Sequence, residues 1–384
     1  MTGPYDLIVM GGGPGGTSAA ITALREGWRV LLVERGRFPR HKVCGEFVST
    51  ESLALLKWLL GDSQQGLLQR ALPLSESRLW LDGRMVRVPI NPPAASIARY
   101  DLDLALWNAA ENAGVTALQE TTVHGIEGEN PFHVTTSAGE FCGRAVINAT
   151  GRWSNLKLAD NHSNGARWLG LKAHFHGHME PSVDLYFFEG GYCGVQPVRA
   201  PDGATLLNAC ALVRPGVAAT LEEVLNRHPL LAARSRSWSA AFAPVSTFPV
   251  ILRHPIPVSG SVLNAGDAAG FVDPFVGDGI SIALRGGNLG ARNLSAFLRG
   301  ERSLKQSLEE YAQVYRRSLR PVHLASSLLR KFLGVPRGLR GALLSACASS
   351  PRLARCLVEA TRSKVVELHP ESWRFDKAGV SPHQ

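Results

Sequence analysis

Residues Tyr5–Arg35 read YDLIVMGGGPGGTSAAITALREGWRVLLVER, and the order of apolar run, glycines, small-residue helix and second apolar run decides the fold. Leu7, Ile8, Val9 and Met10 are continuously apolar, as a strand covered on both faces requires, and glycines end the run at once. Gly11, Gly13 and Gly16 fit the spacing G-x-G-x-x-G. The first glycine permits a tight turn, the second lets backbone approach a pyrophosphate, and the third lets helix lie close on strand. Pro14 and Gly15 complete the loop, so phosphates would sit among free N–H groups at a helix N-terminus. Ala19, Ala20, Ile21 and Leu24 give that helix an apolar face, Gly27 is placed to end it, and Arg29–Val33 forms a second buried strand. Glu34 closes this strand where an acid binds ribose hydroxyls and repels a 2′-phosphate; Arg35 follows it. The unit is βαβ and its ligand a dinucleotide. This stretch alone does not choose between FAD and NAD.

The chain has 384 residues, of which 19% are charged and 45% apolar, so it is long enough for two or three domains and is globular rather than disordered. Its formal charge of +9 suits an anionic ligand, and the cofactor is itself a polyanion. No alternation of aromatic and basic residues points to nucleic acid. The six cysteines, Cys44, Cys142, Cys193, Cys210, Cys347 and Cys356, form no C-x-x-C pair and no metal-ligand spacing, so no metal is expected and a reduced cytoplasm fits best. The first strand starts almost at once, no signal peptide is expected, and no apolar run reaches the roughly 18 residues of a membrane-spanning helix.

Beyond Glu34 runs a basic loop, Arg35-Gly-Arg-Phe-Pro-Arg-His-Lys-Val-Cys-Gly-Glu, which sets Cys44 between Lys42 and Gly45. Cations there can meet phosphates or an anionic substrate. Leu53–Leu60 reads as a helix, and residues 78–90 as a hairpin turning at Asp82-Gly83. Residues 100–114 read as a helix with Asp101 as cap and Gly114 as terminator, with Arg99 just before it in reach of the pyrophosphate. Residues 115–118, 121–126 (with Val123), 132–136 and 141–146 then alternate as a small β meander, and residues 146–151, ending at Gly151, return to the main sheet. Residues 168–175, 183–188, 193–198 and 205–213 form a second sheet, the floor of a substrate domain. Residues 221–227 form a short helix ended by His228-Pro229.

A strand at residues 262–265 opens the segment Gly266-Asp267-Ala-Ala-Gly-Phe-Val-Asp-Pro274-Phe-Val-Gly277-Asp-Gly279-Ile280, and a helix at 280–297 follows. A buried acid at a strand end needs a hydrogen-bonding partner, which makes Asp267 a ribitol or ribose ligand, while Gly277 and Gly279 allow backbone to approach a flat ring. With the N-terminal fingerprint, this second signature selects FAD. The expected division is an FAD-binding domain over 1–75, 96–160 and 260–300, a β-sheet substrate domain over 76–95 and 161–259, and a helical region over 301–384. The last is cationic, with Arg316, Arg317, Arg320, Arg330, Lys331, Arg337, Arg340, Arg352 and Arg355 among leucines, a pattern compatible with peripheral contact to an anionic membrane surface.

These motifs resemble the FAD-dependent oxidoreductases of the p-hydroxybenzoate hydroxylase superfamily, in the branch of geranylgeranyl reductases and flavin-dependent halogenases. The resemblance covers most of residues 5–300. It implies an α/β fold, a Rossmann-like FAD-binding domain with a β meander insertion, beside a β-sheet substrate domain and a C-terminal helical region. Lys42-Val-Cys44-Gly45 is similar to the reductases' cysteine motif near the flavin, and Pro274–Ile280 to their Pro-x-x-Gly-x-Gly-Ile stretch; the halogenases' Trp-x-Trp-x-Ile-Pro is absent. Thr150-Gly151 replaces the Asp-Gly pair of single-component hydroxylases. The reductases' aromatic substrate motif is matched loosely by Tyr186, Phe188 and Tyr192, which with Phe275 are the expected substrate-pocket residues, so the implied substrate is an apolar or aromatic small molecule. The implied reaction is hydride transfer at flavin N5 to an activated double bond, or the reverse, with Cys44 or Glu46 handling the proton. The reductant would be NAD(P)H, ferredoxin or an electron-donor protein. A monooxygenase acting on an aromatic or polyketide-like substrate is the alternative enzyme, and a flavin-binding partner protein the alternative without catalysis.

Overall fold

The computed structural model describes residues 4–152, 165–336 and 338–341. The expected boundary at 160, Arg337, Cys347, Arg352, Arg355 and Cys356 lie outside the described residues. The strands fall into two sheets, one of eight and one of nine strands.

The eight-stranded sheet is built around Tyr5–Met10, whose Leu7, Ile8, Val9 and Met10 have no exposed surface. It pairs in parallel with Val30–Val33 on one side and Gly139–Asn148 on the other, and the helix Pro14–Arg25 makes the crossover. Val262–Asn264 lies parallel beyond Gly139–Asn148. Two expectations change here. Residues 139–148 are one strand rather than two, since its first half pairs antiparallel with Phe132–Thr136 in the meander while its second half pairs with Tyr5–Met10. Thr116–Leu118 belongs to the main sheet, parallel to Val30–Val33, and not to the meander. Its short apolar pattern suits either place, and what decides is the helix Arg99–Ala113 that delivers it, ended by Gly114 at φ +106°. That helix begins at Arg99 with Ala98 as cap, so Asp101 lies in its first turn and does not cap it.

The nine-stranded sheet is mostly antiparallel. Its centre runs from Arg167–His176 through Thr205–Val213, Gly191–Arg199 and Ser182–Phe188 to the hairpin Leu72–Leu81/Arg84–Ser96, which turns at Asp82-Gly83 with both residues at positive φ. Thr220 caps Leu221–Leu225 by accepting from Glu223 N at 3.2 Å, and a helix not read from the sequence, Pro229–Ser235, starts at the proline expected only to end the first. Gly279–Leu298 packs on Pro14–Arg25, with Ser18 Oγ donating to Leu284 O at 2.6 Å and the Cβ position of Gly287 only 2.0 Å from Gly15 O. Leu304–Ser318, opened by a Ser303/Gln306 capping box, and Arg320–Leu333 complete the described helices at the C-terminal end. No described helix is long and apolar enough to cross a membrane.

Candidate functional site

Between the two sheets lies a cavity of about 550 Å³, in the size range of cofactor and substrate sites. Every expected cofactor residue except Gly16 lines it: Gly11, Gly13, Pro14, Gly15, Glu34, Arg35, Cys44, Gly45, Arg99, Val123, Gly151, Gly266, Asp267, Pro274, Gly277, Gly279 and Ile280. Within the fingerprint the glycines divide by what surrounds them. A Cβ on Gly11, at φ +102°, would lie 2.3 Å from Ala149 O, and one on Gly16 would lie 1.7 Å from Gly11 O, so the chain's own backbone excludes side chains there. A Cβ on Gly13 would meet only Lys42 Nζ, at 3.9 Å. The space over Gly13 is therefore left open by the protein at the N-terminus of Pro14–Arg25, where N–H groups lack helical partners. That is the cradle a pyrophosphate needs, and FAD fits it.

Glu34 is 6% exposed. Its Oε2 accepts from Gly12 N at 2.7 Å, and its Oε1 from Gly36 N at 2.8 Å and Arg40 Nη2 at 2.7 Å. Burial works against its charge, but Lys42, Arg40 and the two backbone N–H groups hold the carboxyl below the ordinary glutamate range. It is an anion fixed at the mouth of the cradle.

Arg99 does not stand free for a phosphate. Its Nε and Nη2 each donate to Asp103 at 2.8 Å, and its guanidinium lies near Cys44. Lys42 reaches the same Asp103 at 2.8 Å, and Lys42 is the cation beside Gly13. Burial opposes ionisation of Asp103, yet Arg99 and Lys42 bring its pKa down to about 2. The two cations thus share one anion and leave net positive charge at the cradle.

Cys44, Gly45 and Glu46 form a turn held from below by the second sheet. Asn208 Nδ2 donates to Cys44 O at 3.1 Å and to Gly45 O at 2.9 Å. Glu46, at φ +61° and without exposed surface, is ion-paired to Lys172, accepts from Arg99 N at 2.9 Å, and lies 2.9 Å from His174 Nε2. Burial would raise its pKa, but Lys172 and His174 lower it to about 2. This corrects the expectation that Glu46 handles a proton: it is a permanent anion that ties the turn to the sheet. Cys44 remains half-buried on the cavity wall. Lys172, His174 and Asn208 were not singled out in the sequence, although Lys172 and His174 alternate with Leu171, Ala173 and Phe175, a charged face on a strand otherwise suited to a core.

Register decides which side chains of the floor face the cavity. Phe187 pairs with Tyr192, Leu185 with Gly194, and Gly194 with Cys210, so these share one face; Val183, Leu185, Tyr192, Cys210 and Leu212 line the cavity. Tyr186 and Phe188 are corrected by the same period of two: they point to the opposite face. Tyr186 stacks on Trp80 at 6.0 Å and its Oη accepts from Arg234 at 2.9 Å, and Phe188 packs against the cluster on that side. Phe275 does face the floor, edge-on to Tyr192 at 5.7 Å.

The opposite wall is residues 266–280. Asp267 lies 3.7 Å from Arg152, and a Cβ on Gly279 or Gly151 would meet nothing within 4 Å. Asp273, behind this wall, is 2% exposed and ion-paired to Arg330 of the C-terminal helix; burial pushes its pKa up to about 6 against the pull of that arginine. Among the described residues, no three His, Cys, Asp or Glu side chains are arranged to hold a metal.

Known proteins are similar to the chain over most of its length. A 27% identical relative over 80% of this chain is the conditioned medium factor receptor 1 of Dictyostelium discoideum, of which the chain spans 66%. The menaquinone reductase of Mycobacterium tuberculosis is 27% identical over 76% of both proteins. Among solved structures, the flavin-dependent brominase Bmp2 superposes with a TM-score of 0.77 at 18% identity over 94% of this chain and 93% of that one. A geranylgeranyl bacteriochlorophyll reductase-like protein from Thermoplasma acidophilum does so with a TM-score of 0.74 at 20% identity over 96% and 97%. These likenesses carry the fold. Two family models, each described as FAD dependent oxidoreductase, match residues 6–152 and 88–272, and with the open cradle at Gly13 they identify the chain as a member of the FAD-dependent oxidoreductases, with FAD as its cofactor.

Proposed function

We propose that the protein reduces an activated carbon–carbon double bond of an apolar small molecule, or runs the reverse dehydrogenation. The observation that carries this reading is the Cys44 thiol, held on the cavity wall between the phosphate cradle and the apolar floor. Bound in the cavity, reduced FAD supplies the hydride from N5. The chain supplies the rest. Leu185, Tyr192, Leu212 and Phe275 offer an apolar surface that excludes water from the reacting bond. Cys44 gives a proton to the carbon that does not take the hydride. Asn208 and the Glu46 ion pairs keep the sulfur from drifting as it changes charge. The names of the menaquinone reductase and the geranylgeranyl reductase-like protein agree with an apolar, isoprenoid-bearing substrate.

The test is the reductive half-reaction without oxygen. FAD-loaded protein, reduced with dithionite and mixed anaerobically with isoprenoid quinones or geranylgeranyl lipids, should be reoxidised as the substrate gains two hydrogens. Cys44→Ala should bind FAD as before and lose at least about a hundredfold in turnover, the range of a general acid. Reoxidation only on admitting oxygen, with an oxygen atom in the product, would establish the monooxygenase instead, and full turnover in Cys44→Ala removes the thiol from the mechanism.

A further inference from the structure

The cations that line the cavity are unequal in how their hydrogen bonding is met. Arg40 is taken up by Glu34, Lys42 and Arg99 are taken up by Asp103, and Arg35 is exposed to solvent. Arg152 differs. Its side chain is 18% exposed and, among the described residues, its nearest acid is Asp267 at 3.7 Å, beyond hydrogen-bond range, and its buried Nη1 has no hydrogen-bond partner. A buried guanidinium N–H left unpaired is costly, so the position calls for an acceptor that the described residues do not provide. The place of Arg152 says which acceptor. Its guanidinium lies 4.7 Å over the ring of Phe271, and Phe271 packs with Val183, Leu185, Tyr192 and Phe275, the apolar cluster of the floor. The phosphate cradle already has Lys42 beside Gly13.

We propose that Arg152 binds the carbonyl oxygen of the substrate, which makes the substrate class an apolar molecule whose reacting double bond is conjugated to a carbonyl, enone- or quinone-like, rather than an isolated isoprenoid alkene. This rests on the double-bond chemistry proposed above. An isolated alkene offers no place for the electron pair displaced when a hydride adds. In a conjugated enone the hydride bonds to the β carbon, the π electrons move to the α carbon and carbonyl oxygen, and the oxygen's growing negative charge meets Arg152 Nη1. The Cys44 thiol then protonates the α carbon and the carbonyl re-forms. The substrate gains two hydrogens, and reduced FAD is the two-electron donor. An arginine donor in a water-poor site at the atom where charge develops is the arrangement by which enzymes stabilise an oxyanion.

Binding rather than turnover tests this. Oxidised, FAD-loaded protein is titrated with 2-acetylnaphthalene and with 2-ethylnaphthalene, which match in shape and differ in the carbonyl, and binding is followed by the flavin absorbance. The unaltered protein should prefer the ketone by about tenfold or more, as a charged hydrogen bond supplies. Arg152→Met should abolish the preference and leave FAD affinity within about threefold, while Arg152→Lys should keep part of the preference. Equal binding of the two probes by the unaltered protein, a preference that persists in Arg152→Met, or a tenfold loss of FAD affinity in that variant would each overturn the assignment; the last would give Nη1 to the cofactor. If Arg152→Met does not fold, the unaltered protein's probe ratio together with Arg152→Lys decides. Anaerobic reduction of a double bond that lacks a carbonyl would sink this inference and leave the reductase reading standing, whereas failure of every anaerobic reduction would sink the reading itself.

Discussion

Two walls of one cavity handle buried acid in opposite ways. In the wall formed by residues 42–46 and the start of the helix Arg99–Ala113, Glu46 and Asp103 have no exposed surface, and each carboxylate meets two cationic side chains or a cation and a histidine. In the wall of residues 266–280, Asp273 is as deeply placed and meets one cation, Arg330. Desolvation pushes all three toward the neutral form. Two partners overcome it, bringing Glu46 and Asp103 down to about 2, and one does not, leaving Asp273 at about 6. The first wall is therefore charged and fixed at every physiological pH, and it carries Cys44, the proton donor proposed above. In the second, Asp273 loses its charge as pH falls through about 6, and it joins the wall of cavity-lining glycines to the helix Arg320–Leu333.

The largest effect should come from removing one cation from each wall. Lys172→Met leaves the fully buried Glu46 carboxylate with His174 alone as its partner, and should cost about 3–5 kcal/mol in urea unfolding. Arg330→Met should cost less, about 2 kcal/mol, because Asp273 already lies close to taking up a proton and the remainder is the lost contact of Arg330 over Trp168 at 4.2 Å. Equal costs would break the comparison. Glu46→Gln in the Lys172→Met background should recover part of the loss, since it removes the stranded charge.

A smaller effect is set by pH, with opposite signs in the two walls. Asp273 has a folded pKa raised above its unfolded value of about 3.9. Its contribution is therefore fully present below about pH 4 and is lost as pH rises through about 6, on the order of 2 kcal/mol. Glu46 and Asp103 have depressed values, so theirs is present above their unfolded values and is lost only as pH falls toward about 2. Urea midpoints at pH 4.5 and 7.5 should thus separate the unaltered protein from Asp273→Asn: the substitution flattens the decline on going to pH 7.5. Parallel pH profiles would show that Asp273 does not titrate in this window.

Much of the eight-stranded sheet could be read before the structure because its signals are local. Gly11 and Gly16 are imposed by backbone within the same unit, and the apolar runs 7–10 and 30–33 need cover on both faces wherever they lie. The central strands of the second sheet and its hairpin were readable for the same reason, whereas Val245–Ile251, which pairs with Arg167–His176, was not read. What the sequence hid is long-range. Lys172, His174 and Asn208 acquire a role only when the strands carrying them pass under the turn at 44–46, more than 120 residues earlier in the chain, and no local pattern reports that crossing. The merging of residues 139–148 into one strand depends on two different partners in space. Arg152 looked like a residue after a glycine; its unpaired nitrogen exists only against Phe271 and Asp267.

The smallest expected effect concerns the floor on which both walls stand, and it turns on parity. An aromatic segment such as Tyr186–Phe188 suggests a pocket by composition, but composition is blind to which side of a sheet a residue takes, and a shift of one position reverses the answer. Leu185 lines the cavity, and Tyr186, its neighbour in sequence, stacks on its cross-strand partner Trp80 on the opposite face of the sheet. Tyr186→Phe gives up the bond from Arg234 and should lower stability by about 1 kcal/mol while changing the affinity for 2-acetylnaphthalene less than about twofold. Leu185→Ala removes apolar surface facing the ligand and should weaken the same binding about tenfold. Because the two positions are adjacent, a backbone disturbance would affect both alike, so only the direction of the side chains separates the outcomes. Were Tyr186→Phe the variant that loses ligand, the face carrying Phe187 and Tyr192 could not be the one turned toward residues 266–280, and the apolar floor assigned to both walls would have to be turned over.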